Sequence, residues 1–166
     1  MSQARTATNE VDEFLADVLP RQEQEERALR NGDPGPRLRM WSRNDPVTVL
    51  GAAGPKGTGT GWERVSEVFQ WISSQFSDCT EYEFELLAAG VSGDLAYTVG
   101  FERSTMSIAG GPARSSVIRA THVYRREDGE WKIVHRHGDV TFPAGAAGLP
   151  ADLVPGNAAD QAGPRQ

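Results

Sequence analysis

The chain has 166 residues, 38% hydrophobic and 24% charged, with 18 glycines and 10 prolines, which suits one modest domain with generous loops. Its 17 basic and 23 acidic residues leave a net charge of −6, which argues against a nucleic-acid or anionic-membrane binder; the single cysteine, Cys79, excludes a disulfide framework and a four-cysteine zinc site. No apolar run reaches the ~18 residues of a membrane span, and the N-terminus lacks the apolar stretch of a signal peptide, so a cytoplasmic location is expected.

Residues 1–8 are small and polar, and from Pro143 onward large apolar residues are sparse and aperiodic. Neither end offers enough burial to offset the entropy of ordering. The spacing therefore predicts disordered ends, 1–8 and 143–166, around one domain at 9–142. Val11, Phe14, Leu15, Val18 and Leu19 recur at helical spacing, with Ala28 and Leu29 on the same stripe, and Pro20 either kinks this helix or opens a second one. Asn31-Gly32-Asp33-Pro34 is a stop signal, a short helix through Leu38, Met40 and Trp41 follows, and Val47–Leu50 reads as a strand. Asp33 and Asp45 are read as turn formers or caps. The glycine-rich loop at 51–61 matches no phosphate-binding motif and reads as an entrance loop or a connector. Trp62, Val65, Val68, Phe69, Ile72 and Phe76 then mark one face of a helix, with Thr60 and Glu63 as its capping box.

From Thr80 to Phe142 the period changes to two. Turn signals at Ser92-Gly93, Gly110-Gly111 and Asp128-Gly129 split the segment into four strands of an antiparallel meander. Helices first and strands last mean an α+β fold, with helices covering one face of a curved sheet. Two-residue turns would set Leu86 opposite Val99, Phe84 opposite Phe101, Arg119 opposite Glu102, and His122 opposite His135; a three-residue turn at Glu127–Gly129 would instead pair Thr121 with His135. The two-residue register gathers Tyr82, Phe84, Leu86, Tyr97, Val99, Phe101, His122, Tyr124, Trp131, His135 and His137 beneath the helices. It sends Glu81, Glu83, Glu85, Glu102, Arg119, Arg125, Lys132 and Arg136 to the other face.

On that reading all three histidines face a cavity among aromatic rings, which is the character of a small-molecule site. His122 and His135 are the candidate acid and base, and Tyr97 is the candidate polariser of a carbonyl. His137, Tyr82, Val99, Phe101, Tyr124, Trp131, Trp41 and Phe69 are candidate ligand-binding residues. Buried histidines satisfied by tyrosine hydroxyls are the plain structural alternative. Three imidazoles could also hold zinc, but no carboxylate accompanies them on that face, so neither a metal nor a cofactor is expected.

The element order, with the segments NGDP, WSRNDPVTVLG, VSGDLAYTVGFE and RATHVYRREDGEWKIVHRHGD, resembles the nuclear transport factor 2-like superfamily, and within it the SnoaL-like branch, over residues 9–142. The resemblance implies a cone-shaped α+β fold with N-terminal helices packed on a curved antiparallel sheet. It also implies a deep pocket for a small-molecule ligand, and a homodimer formed by sheet contacts. Ketosteroid isomerases in the superfamily carry a catalytic aspartate on the first strand, where this chain reads Val49-Leu50-Gly51. Scytalone dehydratase uses histidines with a tyrosine-held water, to which His122, His135 and Tyr82, Tyr97 and Tyr124 are similar in kind. The kinase association domain lines its pocket with arginines, whereas here Val99, His122 and Gly138 are expected, which disfavours a strongly anionic ligand. The leading expectation is a pocket protein for a largely apolar molecule with a few polar groups. A metal-free lyase, dehydratase or cyclase-like enzyme and a non-catalytic oligomerisation module are the alternatives.

Overall fold

The computed structural model describes the backbone of residues 2–140 and the side chains of residues 9–140; the tail expected at 143–166 lies outside the described residues. Helix α1 spans Ser2–Leu29 and α2 spans Gly35–Met40. Strand β1 (Thr48–Leu50), a single 3-10 turn at Gly54–Gly57 and strand β2 (Thr58–Thr60) lead into helix α3 (Trp62–Ser73). Four long strands follow: β3 (Phe76–Ser92), β4 (Leu95–Ile108), β5 (Arg114–Glu127) and β6 (Glu130–Val140). They form one sheet in the order β2-β1-β6-β5-β4-β3, antiparallel except where β1 lies parallel to β6. No helix among the described residues is long and apolar enough to cross a membrane.

The backbone of α1 runs unbroken through Pro20. Pro20 is exposed, so water can satisfy the carbonyl that loses its intrahelical partner. Phe14 and Val18 are the buried knobs of α1, and the Phe14 ring meets Tyr124 and Trp131 edge-on, each with centroids 5.2 Å apart. Asp33 accepts a hydrogen bond from the Gly35 amide two residues on, a turn that leads into α2, whose N-cap is Pro34. The start of α3 differs from the expected capping box. Gly61 is the N-cap with φ +81°, a conformation that costs glycine little, and Asp45 Oδ1 accepts from the Trp62 amide at 3.0 Å. The 51–61 loop is largely ordered into the β1–β2 hairpin.

The expected phase of the sheet needs correction at three places, each with a local cause. The β3–β4 hairpin closes over Gly93-Asp94, and a register shift between Leu86 and Ala88 makes Leu87 an extra residue. Phe84 therefore pairs with Glu102 rather than Phe101, and Leu86 with Gly100 rather than Val99. Between Ile108 and Arg114 the chain needs five connecting residues rather than two, and this odd count pairs Arg119 with Phe101 rather than Glu102. The β5–β6 turn is the two-residue Asp128-Gly129 turn expected, with φ +50° and +81°, as a primed hairpin turn requires. A second bulge then makes Val134 the extra residue. Tyr124 pairs with Ile133, but Val123 pairs with His135 and His122 with Arg136.

A bulge reverses the face of every residue beyond it. The helix-covered face thus holds Tyr82, Phe84, Thr98, Glu102, Ala120, His122, Tyr124, Trp131, Ile133 and Arg136. Tyr97, Val99, Phe101, His135 and His137, expected beneath the helices, lie on the outer face with Arg119. Glu102 and Arg136, expected outside, are within.

Candidate functional site

The interior is built around a cluster of charges. Along α1 the buried stripe Phe14–Val18 continues through Gln22, Glu25, Glu26, Leu29 and Arg30, all buried. Arg37 from α2 is completely buried; it pairs with Glu25 and lies 2.7 Å from Glu26 Oε1. Arg30 pairs with Glu26 one helical turn back, and its Nη2 lies 3.3 Å from Glu102 Oε2 on β4. Arg136 on β6 donates to the same oxygen at 2.6 Å. His122 Nε2 is 3.7 Å from Glu102 Oε1.

Three carboxylates and three guanidiniums thus share one buried volume. Burying charges is tolerable only when each is paired. Burial pushes Glu25 up to about 7 against the pull of Arg37. Burial acts the same way on Glu102, but Arg136 and then Arg30 outweigh it and hold that carboxyl well below the usual range. His122 is driven well below its ordinary value by burial, with Glu102 opposing, and is neutral at physiological pH. Burial also keeps Tyr82 and Tyr124 protonated. Gln22 links the two phenols, donating to the Tyr82 hydroxyl at 3.2 Å and accepting from Tyr124 at 3.3 Å.

In front of this cluster lies a cavity of about 340 Å³, bounded by α1, α2, α3, β1 and strands β4–β6. Leu29, Val68, Phe69, Ile72, Met106 and Ile118 supply much of its apolar wall. Its buried inner end is formed by Glu26, Arg30, Arg37 and Arg136, and its mouth by exposed Ala52, Ala53 and Ile108 with half-buried Gln75. Gly138 packs against the Arg136 side chain: a Cβ there would fall 2.5 Å from Nη1, so the guanidinium would have to shift. Gly100 is fixed by space, since its Cβ would lie 2.7 Å from the Phe84 ring.

The structure brings some of the expected site residues together and separates others. Phe69 lines the cavity beneath the Arg37 guanidinium, 5.0 Å from its ring centroid. His122, Tyr82 and Tyr124 belong to the polar cluster behind the wall. Trp41 and Trp131 are core residues, Trp41 packed 5.3 Å from Phe69. Tyr97, Val99, Phe101, His135 and His137 are on the far side of the sheet, where His135 Nδ1 lies 2.7 Å from the Thr48 hydroxyl. The three histidines therefore cannot converge on one zinc ion.

A different donor set, Glu26, Glu102 and His122, places one atom from each residue within 4.8 Å of the others. Both carboxylates already engage Arg30, and a divalent cation would join three guanidiniums, so this set suits a hydrogen-bonded water better than a metal. The expectation that arginines are absent from the pocket is overturned by Arg30, Arg37 and Arg136. Only the buried polar residues that continue the stripe of α1 could have signalled them.

N-terminal helices layered on an open, curved, largely antiparallel sheet define an α+β fold of the nuclear transport factor 2-like kind. The SnoaL-like domain model matches residues 27–143, and the chain belongs to that family. Among solved structures it is similar to a nuclear transport factor 2-like protein of unknown function from Pseudomonas putida (19% identity, TM-score 0.66, 87% of this chain and 98% of that one). It is also similar to a provisionally named dehydratase of the nuclear transport factor 2-like family from Streptomyces avermitilis (21%, 0.62, 80% and 99%). A ketosteroid isomerase-like protein from Erwinia carotovora atroseptica gives 17%, 0.61, 78% and 97%. At these identities the likeness carries the fold alone. No protein of curated function matches the chain.

Proposed function

We propose that the protein binds a small, largely apolar molecule bearing a few polar groups in the cavity beneath α3. The observation that supports this reading is the cavity itself: about 340 Å³, apolar along its length and charged at its buried end. Pockets of this size and character suit a small ligand oriented by a few polar contacts. A thermal-shift screen of small aliphatic and aromatic oxygen compounds tests it, because a ligand that binds only the native state raises the melting temperature. Wild-type protein should respond to some of these compounds, and Ala53→Trp, which narrows the mouth, should lose the response at unchanged basal stability. No response across the screen, or an undiminished one in the variant, would refute the reading.

A lyase or dehydratase reading draws on one observation: both ring nitrogens of His122 are unpartnered beside Glu102. His135 and Tyr97, on the opposite face of the sheet, cannot touch the same substrate.

We also propose a homodimer through the outer face of the sheet. Leu95 and Tyr97 are exposed there, at 53% and 44%, beside half-buried Val99, Phe101 and Val123. An apolar patch of this kind on a sheet face favours self-association. Tyr97→Glu should shift the protein from dimer to monomer in sedimentation equilibrium while leaving its circular dichroism unchanged. A monomeric wild-type protein would sink the proposal.

A further inference from the structure

We infer that the ligand is uncharged, so that its class is the small neutral oxygen compounds, alcohols and carbonyls, and not the acids or the amines. This deepens the pocket reading and rests on it. Arginines at the end of a cavity ordinarily point to an anion. Here the carboxylates around them remove that signal. Glu26, Arg30, Arg37 and Arg136 border the inner end, with side-chain exposures of only 2%, 3%, 0% and 10%. Each is engaged by a counterion of the protein: Arg30 by Glu26 and Glu102, Arg37 by Glu25 and Glu26, and Arg136 by Glu102. Glu25 and Glu102 stand behind the wall, so three guanidiniums are set against three carboxylates, and the end is neutral while Glu25 is ionised.

Hydrogen-bonding capacity is mixed in the same way. The buried atoms without a partner include Arg30 Nε, Arg37 Nε and Nη2 and Arg136 Nε as donors, and Glu25 Oε2 and Glu102 Oε1 as acceptors. The two His122 nitrogens add one of each kind, as a neutral imidazole must. The cluster therefore has no preference of sign to offer a ligand. A bound ion would give up its hydration without gaining a free counter-charge. A carboxylate would compete with Glu26 and Glu102 for the guanidiniums, and an ammonium would compete with the guanidiniums for the carboxylates. A neutral molecule incurs neither cost. Its carbon skeleton lies against Leu29, Val68, Phe69, Ile72, Met106 and Ile118, and Ser116 and half-buried Gln75 offer its oxygen a hydrogen bond without a charge.

Matched probes test the inference on the unmodified protein. Isothermal titration is run at about pH 8.5, above the value to which burial raises Glu25, so that all three carboxylates are ionised. The probes are straight-chain primary alcohols from hexanol to decanol, with the carboxylates and the amines of the same lengths. The best alcohol should bind at least about tenfold tighter than its acid and its amine, because only the ions lose hydration without compensation. Glu25→Gln removes one negative charge from behind the wall and leaves the cluster one positive charge in excess. In that variant the carboxylate should gain about tenfold on its alcohol, with the alcohol's Kd little changed and no gain for the amine. Acids or amines that bind wild-type protein as tightly as the alcohols would overturn the inference and leave the pocket reading standing. An unchanged ratio in Glu25→Gln would overturn the charge balance on which the inference stands. Failure of all three series to bind would count against the inference and the pocket reading alike.

Discussion

Replacing Glu102 by Leu should lower the unfolding free energy by about 3–5 kcal/mol, the usual cost of removing one partner from a buried ion pair. Glu102 is fully buried and its Oε2 lies near Arg30 and Arg136. Among the described residues Arg136 pairs with no other carboxylate. Arg30 would keep Glu26, but Arg136 would remain a buried charge without a counterion. For a domain of this size the loss corresponds to a fall in Tm on the order of 10 °C. Urea unfolding of the variant and its parent reads the effect. Glu85→Gln, which breaks an exposed pair with Arg103, should cost under about 1 kcal/mol and serves as the control. The acid limb should change as well. Because Arg136 and Arg30 hold the Glu102 pKa down in the folded state, its contribution is full above the ordinary carboxyl range and is lost as pH falls through its depressed value. The Leu variant lacks this component. A loss below about 1 kcal/mol would mean that the cluster does not hold the cone together.

Much of this fold was legible in the residues. The helical stripe at Phe14 and Val18, the turn glycines, the Asp33 turn and the shift from a period near four to a period of two lead directly to helices on a meander. His122, Tyr124 and Trp131 also lie on the face that patterning assigns them. The phase fails beyond Leu87 and Val134, and both residues are ordinary aliphatics. A bulge there leaves no compositional mark, yet it reverses the face of every residue further along the strand. Binary patterning then gives the wrong sign for Glu102 and Arg136: it assigns charge to solvent, whereas these side chains are inside because they pair with one another and with α1. Gln22, Glu25, Glu26 and Arg30 carry the one signal that could have been read. They occupy the positions where the stripe through Phe14 and Val18 must remain buried, so polar residues there require partners, and Arg37 and Glu102 are those partners.

Glu25→Gln should gain stability relative to the parent as pH rises from about 5 to about 8, by up to about 3 kcal/mol. The Glu25 carboxyl is pushed from 4.5 to about 7 by burial. Arg37 on α2 pulls it the other way and sits nearest; Arg30 on α1 assists Arg37, and Glu102 on β4 adds to the upward shift. A carboxyl with a raised folded pKa binds its proton more tightly in the native state, so its contribution to stability is present at low pH and is lost between the two pKa values as pH rises. Glutamine mimics the protonated form and loses nothing over that interval. His122 acts in the opposite sense: its depressed pKa makes acid unfavourable below its ordinary range, but this term is common to both proteins and cancels in the comparison. Arg37 retains Glu26 in the variant, so the cluster is not left with an unpaired guanidinium. Denaturation midpoints of the two proteins across this range, at constant ionic strength, give the difference directly. If it is flat with pH, Glu25 is ionised throughout and the charges behind the cavity are fully balanced.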